Sequence, residues 1–269
     1  MNVKAIVTDL DGTLLNSHGK VSPKNREALA LAHEQGILVG ICTGRELTTV
    51  LESIKKWKID KSIDFIIASN GSQLADFIHD KNETRFPLQG ETINEIIKAF
   101  DGLKVGFAFP YEGKLYTSKR TALLSLMSML EKTPFIKEKP DKLIQRPYPK
   151  AMVMASSKLL PSVKERGQSF VISHPSLYGI QTGPVLFELG DKRTTKEAGL
   201  RWAAETLGIS LTDIVAFGDA DNDISVIETV GMGVAMANGS VELLKKAKAT
   251  TLDNVHDGVA EYIDKHILK

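Results

Sequence analysis

The sequence predicts an α/β protein: a doubly wound, mostly parallel sheet with an α+β domain inserted between its two halves. Three observations predict this. Short, nearly all-apolar runs alternate with helical patterns in the first third of the chain, and the same rhythm returns after about residue 190. Between about 82 and 187 it gives way to mixed helices and short strand-like runs that hold most of the prolines. Runs that are apolar throughout suit strands buried on both faces, as in a parallel sheet covered by helices on each side.

In chain order, "VKAIVT" (3–8) reads as a strand and Pro23 to Gln35 as a helix. Ser22 can cap that helix, Pro23 suits its first position, and Gly36 supplies a stop. "ILVGIC" (37–42), a helix from Glu46 to Trp57 and "DFIIAS" (64–69) continue the alternation. In the insertion, helices are expected near 91–100 and 119–131, with strand-like runs "KVGFAF", "AMVMAS", "SFVISH" and "VLFELG". The first pattern resumes with a helix from Thr195 to Leu207, "DIVAFG" (213–218), a short helix from Asn222 to Thr229 and "GMGVAM" (231–236). Helices near 240–247 and from about Gly258 close the chain. The domain organisation expected is therefore a core at 1–81 and 188–269 and an insertion at 82–187, with hinges near 80–84 and 186–191.

The 269 residues, 42% hydrophobic and 25% charged, suit one large core or two domains rather than disorder. With 34 basic and 33 acidic residues spread evenly, no basic stripe invites a nucleic acid. No apolar run approaches the roughly 20 residues that span a bilayer, and the first strand follows no charged-then-apolar leader, so a cytoplasmic protein is expected. A single cysteine, Cys42, forms no internal disulfide and reads as a small buried hydrophobe. Six scattered histidines lack zinc-ligand spacing.

Ligands of open parallel sheets bind beyond the carboxyl ends of the strands. Four polar clusters fall there: Asp9 and Asp11 after "AIVT"; Thr43, Gly44 and Arg45 after "LVGIC"; Ser69, Asn70 and Gly71 after "FIIA"; and Asp219, Asn222 and Asp223 after "IVAFG". Singly, each reads as a turn, and Lys196 as a surface lysine. Together on one sheet edge, the carboxylates repel one another unless something positive lies between them. Mg²⁺ answers that need, since it takes oxygen ligands from a few carboxylates, water and phosphate. Alternation puts Asp9 and Asp11 on one side, with Leu10 turned away, so one carboxylate can ligate and attack while the other moves protons.

"DLDGTLL", "ICTGR", Lys196 in "TTKEAGL" and "GDADND", in that order, resemble the four motifs of the haloacid dehalogenase-like phosphohydrolases. The long insertion resembles the large α/β cap of the Cof-type branch (cap type C2B). The resemblance spans the chain and implies a Rossmann-like core carrying a Mg²⁺-dependent phosphatase site for a small phosphorylated metabolite, a sugar phosphate or phosphorylated cofactor. It implies Asp9 as a nucleophile forming an aspartyl-phosphate and Asp11 as general acid and base. The Asp9 carboxylate, the Asp11 carbonyl and Asp219 then hold the metal, with Asp223 as ligand or support. Thr43 and Gly44 bind the phosphoryl group with help from a helix N-terminus, joined by Lys196 and Asn222. Glu197 stands where the family usually has glycine, and "VAMANGS" replaces its usual Gly-Asn-Ala, so Lys192 and Arg193 compete with Lys196 for the cationic role. A sugar-phosphate mutase and a non-catalytic phosphometabolite sensor are the alternatives. His174 and Tyr178 are candidates to face a substrate, His174 reading rather as a satisfied turn residue. Tyr111, Lys114, Tyr116, Lys119, Arg120, Lys142 and Arg146 are further insertion residues among which the sequence does not choose.

Overall fold

A computed structural model describes residues 2–131 and 133–268. It divides into two compact units, 1–83 with 195–269, and 84–194.

The first unit opens with β1 (Ala5–Thr8), α1 (Pro23–Glu34), β2 (Leu38–Cys42), α2 (Leu47–Trp57), β3 (Phe65–Ala68), β4 (Gln73–Asp76) and β5 (Lys81–Thr84). The second contains α3 (Gly90–Ala99), β6 (Gly106–Tyr111), β7 (Lys114–Thr117), α4 (Ala122–Glu131), β8 (Phe135–Lys137), α5 (Pro140–Leu143), β9 (Ala151–Met154), α6 (Leu160–Ser173), β10 (Leu177–Gly183) and β11 (Leu186–Asp191). The chain then completes the first with α7 (Lys196–Leu207), β12 (Ile214–Gly218), α8 (Ile224–Thr229), β13 (Met232–Met236), α9 (Val241–Lys246), β14 (Ala249–Thr251) and α10 (Gly258–His266).

The first unit's sheet runs β14-β13-β12-β1-β2-β3-β4-β5. It is parallel from β14 through β3, and β4 turns back antiparallel on β3. Alternate residues of each strand enter different cores. Ile6, Val39, Ile41, Ile66, Val215 and Phe217 pack against α1, α2 and α10. Ala5, Val7, Phe65, Ile67, Ile214 and Ala216 pack against α7, α8 and α9. Two covered faces are the reason these strands are apolar throughout, and they leave the strand ends as the place for polar groups.

Local chemistry fixes the helices. Ser22 Oγ accepts from the Asn25 amide at the start of α1, with Pro23 at its first position. Leu47, Val50 and Ile54 give α2 its buried stripe, and Thr195 caps α7, which Gly208 ends at a φ of 66°.

The second unit's sheet runs β10-β11-β9-β6-β7-β8, antiparallel except for β7 beside β8. One expectation fails here: "SFVISH" is not a strand but the end of α6. Leu160, Val163, Gly167 and Phe170 recur at helical spacing and are buried, and that longer period outweighs the local β-branched run. "VLFELG" does pair, as β11, within this sheet, so the chain returns to the first unit only at Thr195. Among the described residues no helix is long and apolar enough to cross a membrane.

Candidate active site

The polar groups gather where β1, β2, β3 and β12 end and α7 begins. Asp9 follows β1 directly, is nearly buried, and its amide donates to the Phe217 carbonyl at 3.1 Å. The chain then turns through Gly12 at a φ of 81°, where an added Cβ would lie 2.2 Å from Asp219 Oδ2. Only glycine tolerates both that conformation and that approach. Thr13 Oγ1 donates to Asp219 Oδ1 at 2.7 Å, which ties the β1 turn to the β12 turn.

Lys196, the first residue of α7, is 3% exposed. Its ammonium donates to Asp9 Oδ1 at 2.8 Å and to Asp223 Oδ1 at 2.6 Å. Asp223 Oδ2 accepts from the amides of Asp219 and Ala220, both at 3.1 Å, so both of its oxygens are engaged. Burial pushes the Asp9 carboxyl up to about 7, Lys196 pulling it down and Asp223 adding to the rise. Burial also works against the Lys196 charge, but Asp9 and Asp223 outweigh it and hold the lysine's pKa above its usual value. Burial likewise raises Asp219, against the Thr13 hydrogen bond.

Asp9, Asp219 and Asp223 each place one oxygen within 4.8 Å of the others. Three carboxylates face one ammonium, an excess of negative charge in a buried setting that a cation relieves. The donor set is all hard oxygen, which fits a hard divalent cation.

Asp11 lies outside this trio. Arg45 donates to it through both arms, Nε to Oδ2 at 2.8 Å and Nη2 to Oδ1 at 2.6 Å, and the Asp11 side chain is well exposed. Any place for Asp11 in a metal set is therefore its backbone carbonyl. The sequence carries one signal for this partnership, the arginine that follows Thr43-Gly44.

Thr43 is buried, its amide donating to the Ile67 carbonyl and its Oγ1 accepting from the Arg45 amide at 3.2 Å. That leaves the hydroxyl proton for another acceptor. The help expected from a helix N-terminus is corrected by the capping of α2: the Glu46 carboxylate accepts from the Thr49 amide and Gln73 Oε1 accepts from the Leu47 amide. These two donors of the first turn are already used, and a carboxylate at a helix start disfavours a second anion there.

Asn222 is exposed in the turn Asp221–Asp223. Of the three candidate cations, Lys196 is the one bonded to Asp9, whereas Arg193 pairs with Asp191 through both arms and lies over the Phe86 ring. The unusual "VAMANGS" loop braces the site: Asn238 Nδ2 donates to the Gly12 carbonyl at 2.8 Å and the Ser240 amide to the Asp219 carbonyl at 2.8 Å. Cys42 is buried and burial pushes its thiol up to about 12, so it is an unreactive core residue.

In the second unit His174 ends α6, with Nδ1 at 2.8 Å from the Phe170 carbonyl and Nε2 at 3.3 Å from Glu95: a satisfied turn residue. Tyr111 and Tyr116 pack with Tyr148, and the Arg146 guanidinium covers Tyr116.

The pattern of the haloacid dehalogenase-like hydrolase family matches residues 6–263. The chain is 26% identical over 268 residues to the 5-amino-6-(5-phospho-D-ribitylamino)uracil phosphatase YcsE of Bacillus subtilis (strain 168), covering 100% of this chain and 97% of that one. It is 27% identical over 303 residues to the pyridoxal phosphate phosphatase YbhA of Escherichia coli (strain K12), covering 100% of both. The crystal structure of a haloacid dehalogenase-like hydrolase from Bacteroides thetaiotaomicron superposes with a TM-score of 0.89 at 26% identity, covering 98% of this chain and 99% of that one.

Proposed function

This chain belongs to the haloacid dehalogenase-like hydrolases, and from that premise we propose that it is a Mg²⁺-dependent phosphatase of a small phosphorylated metabolite, working through an aspartyl-phosphate on Asp9. It is a phosphoric monoester hydrolase; the metal's identity, the substrate and the residue roles are our reading. The observation that carries the reading is the buried contact of Lys196 with Asp9 beside Asp219 and Asp223. The relatives named for a phosphoribitylamino-uracil and for pyridoxal phosphate support a small substrate, a sugar phosphate or a phosphorylated cofactor.

In this reading Asp9 attacks phosphorus, and Lys196 lowers the repulsion between two anions. Lys196 also offsets part of the burial that pushes the Asp9 carboxyl up, since an ammonium at 2.8 Å favours the charged form that attacks. The Thr43 hydroxyl and Gly44 amide bind the phosphoryl oxygens, where charge spreads during transfer. As acid and base, Asp11 would give a proton to the leaving oxygen and then take one from the water that frees Asp9, which requires one of its oxygens to be released from the Arg45 guanidinium that holds both here. Splitting hydrolysis this way replaces one hard displacement by two easier ones. Asp9, the Asp11 carbonyl and Asp219 would hold Mg²⁺, which offsets carboxylate and phosphate charge. Asp223 fits better as the support of Lys196 and of the 219–220 amides than as a ligand, because both its oxygens are taken.

The test is phosphate release from a panel of sugar phosphates, nucleotides and phosphorylated cofactors, in Mg²⁺ and in EDTA. Metal-dependent release that disappears with Asp9→Asn supports the reading. No release from any member by folded, Mg²⁺-supplied protein contradicts it.

A further inference from the structure

The guanidinium that holds Asp11 has a second neighbour, at the far end of the helix that follows it. Arg45 stands just before α2 and Trp57 is the last residue of α2, yet the guanidinium carbon lies 5.9 Å from the centre of the indole ring. A cation within about 6 Å of an aromatic ring is attracted to its face, and tryptophan is the strongest such partner. Arg45 is partly exposed, so the carboxylate and the ring together, rather than close packing, hold it where it is.

The indole is itself anchored. Its Nε1–H donates to the Gly19 carbonyl at 3.1 Å, and the partly buried ring packs against the core that Ile6, Val39 and Ile41 share with α1, α2 and α10. Gly19 belongs to the turn of a small hairpin that grows out of the Asp11 segment: Asp11 bridges Leu15, Leu15 bridges Val21, and the Asn16 amide donates to the Lys20 carbonyl at 3.0 Å. Asn16 Oδ1 tightens that turn by accepting from the His18 and Lys20 amides. Trp57 therefore meets the segment that carries Asp11 twice, through Arg45 and through the tip of the hairpin.

We propose that Trp57 is a positioning residue for the acid and base: its ring holds the Arg45 guanidinium beside Asp11, and its bond to Gly19 holds the ring. The inference rests on the phosphatase reading, in which Asp11 passes protons and one of its oxygens must therefore leave Arg45. A guanidinium attached to the carboxylate alone swings into water when an arm lets go. One that also lies against an indole keeps its place, so Asp11 is left with one oxygen free to carry a proton and the other still held. A tryptophan that served only to cover the core would affect stability and leave the turnover of Asp11 untouched.

The test measures kcat and KM separately, on the most active ester of the phosphate-release panel, for wild type, Trp57→Leu, Trp57→Phe, Arg45→Met and each Trp57 variant combined with Arg45→Met. Melting curves verify folding, and Trp57→Phe, which keeps an aromatic ring, guards against a leucine variant that does not fold. Trp57→Leu is expected to lower kcat about fivefold, the size of one partly exposed cation–π contact, with KM changed less than about twofold. Trp57→Phe, which loses only the anchor to Gly19, is expected to lower kcat by less. In the Arg45→Met background neither change should cost anything further, because Trp57 acts through Arg45. A kcat unchanged in both Trp57 variants, or a loss that persists in full beside Arg45→Met, overturns the proposal and makes Trp57 a cover of the core. Inactivity of folded wild type on the whole panel overturns the phosphatase reading and this inference with it.

Discussion

The Lys196 ammonium and the Asp9 carboxylate meet at 2.8 Å although 187 positions separate them in the chain, and both are buried. Removing one member of such a pair strands the other's charge, so the contact governs stability as well as chemistry.

Lys196→Met is expected to lower kcat by about 10²–10³-fold, the usual cost of losing a donor aimed at developing charge. It is also expected to destabilise the fold by about 3–5 kcal/mol, because Asp9 and Asp223 lose their shared cation. Steady-state kinetics and urea unfolding measure the two effects, and an unchanged unfolding midpoint would speak against the buried pairing.

Arg45 and Asp11 should behave as one unit. Asp11→Asn is expected to lower kcat by about 10²–10⁴-fold, and Arg45→Met by less. The double variant should be close to Asp11→Asn alone, since Arg45 acts through Asp11. Fully multiplicative losses in kcat would separate the two residues.

Gly12→Ala puts a methyl 2.2 Å from Asp219 Oδ2 on a backbone with a φ of 81°. The expected outcome is a folded protein that needs about tenfold more Mg²⁺ for half-maximal activity, because Asp219 is displaced. A Mg²⁺ titration monitored by phosphate release measures it, with circular dichroism to verify folding.

Asp219→Asn and Asp223→Asn should differ in kind. The first is expected to weaken Mg²⁺ binding in calorimetry by about tenfold or more. The second should mainly lower kcat by misplacing Lys196 and the 219–220 amides. Equal losses of metal affinity would make Asp223 a ligand.

The parts of the site that could be read from the sequence are those fixed by sheet polarity. Once "AIVT", "LVGIC" and "IVAFG" are parallel neighbours, Asp9, Thr43 and Asp219 must fall on one edge. What could not be read depends on contacts across the fold. Arg45 follows a strand as many loop residues do, and only the folded chain brings its guanidinium to Asp11, 34 positions away. The use of the first α2 amides by Glu46 and Gln73 is equally tertiary. In the fold, β5 is exposed along its whole length, so "KNET" carries no apolar alternation to reveal a strand. "SFVISH" has the composition of a strand, and only the buried positions reaching back to Leu160 show the helix.

The most direct measurement is acid-quenched labelling with a ³²P-labelled ester from the most active class in the phosphate-release panel, followed by peptide mapping. A covalent mechanism on Asp9 requires label on the peptide containing "DLDGTLL", formed fast enough to lie on the path to free phosphate and missing from Asp9→Asn. Label on another residue, or undiminished phosphate release by Asp9→Asn, would contradict it.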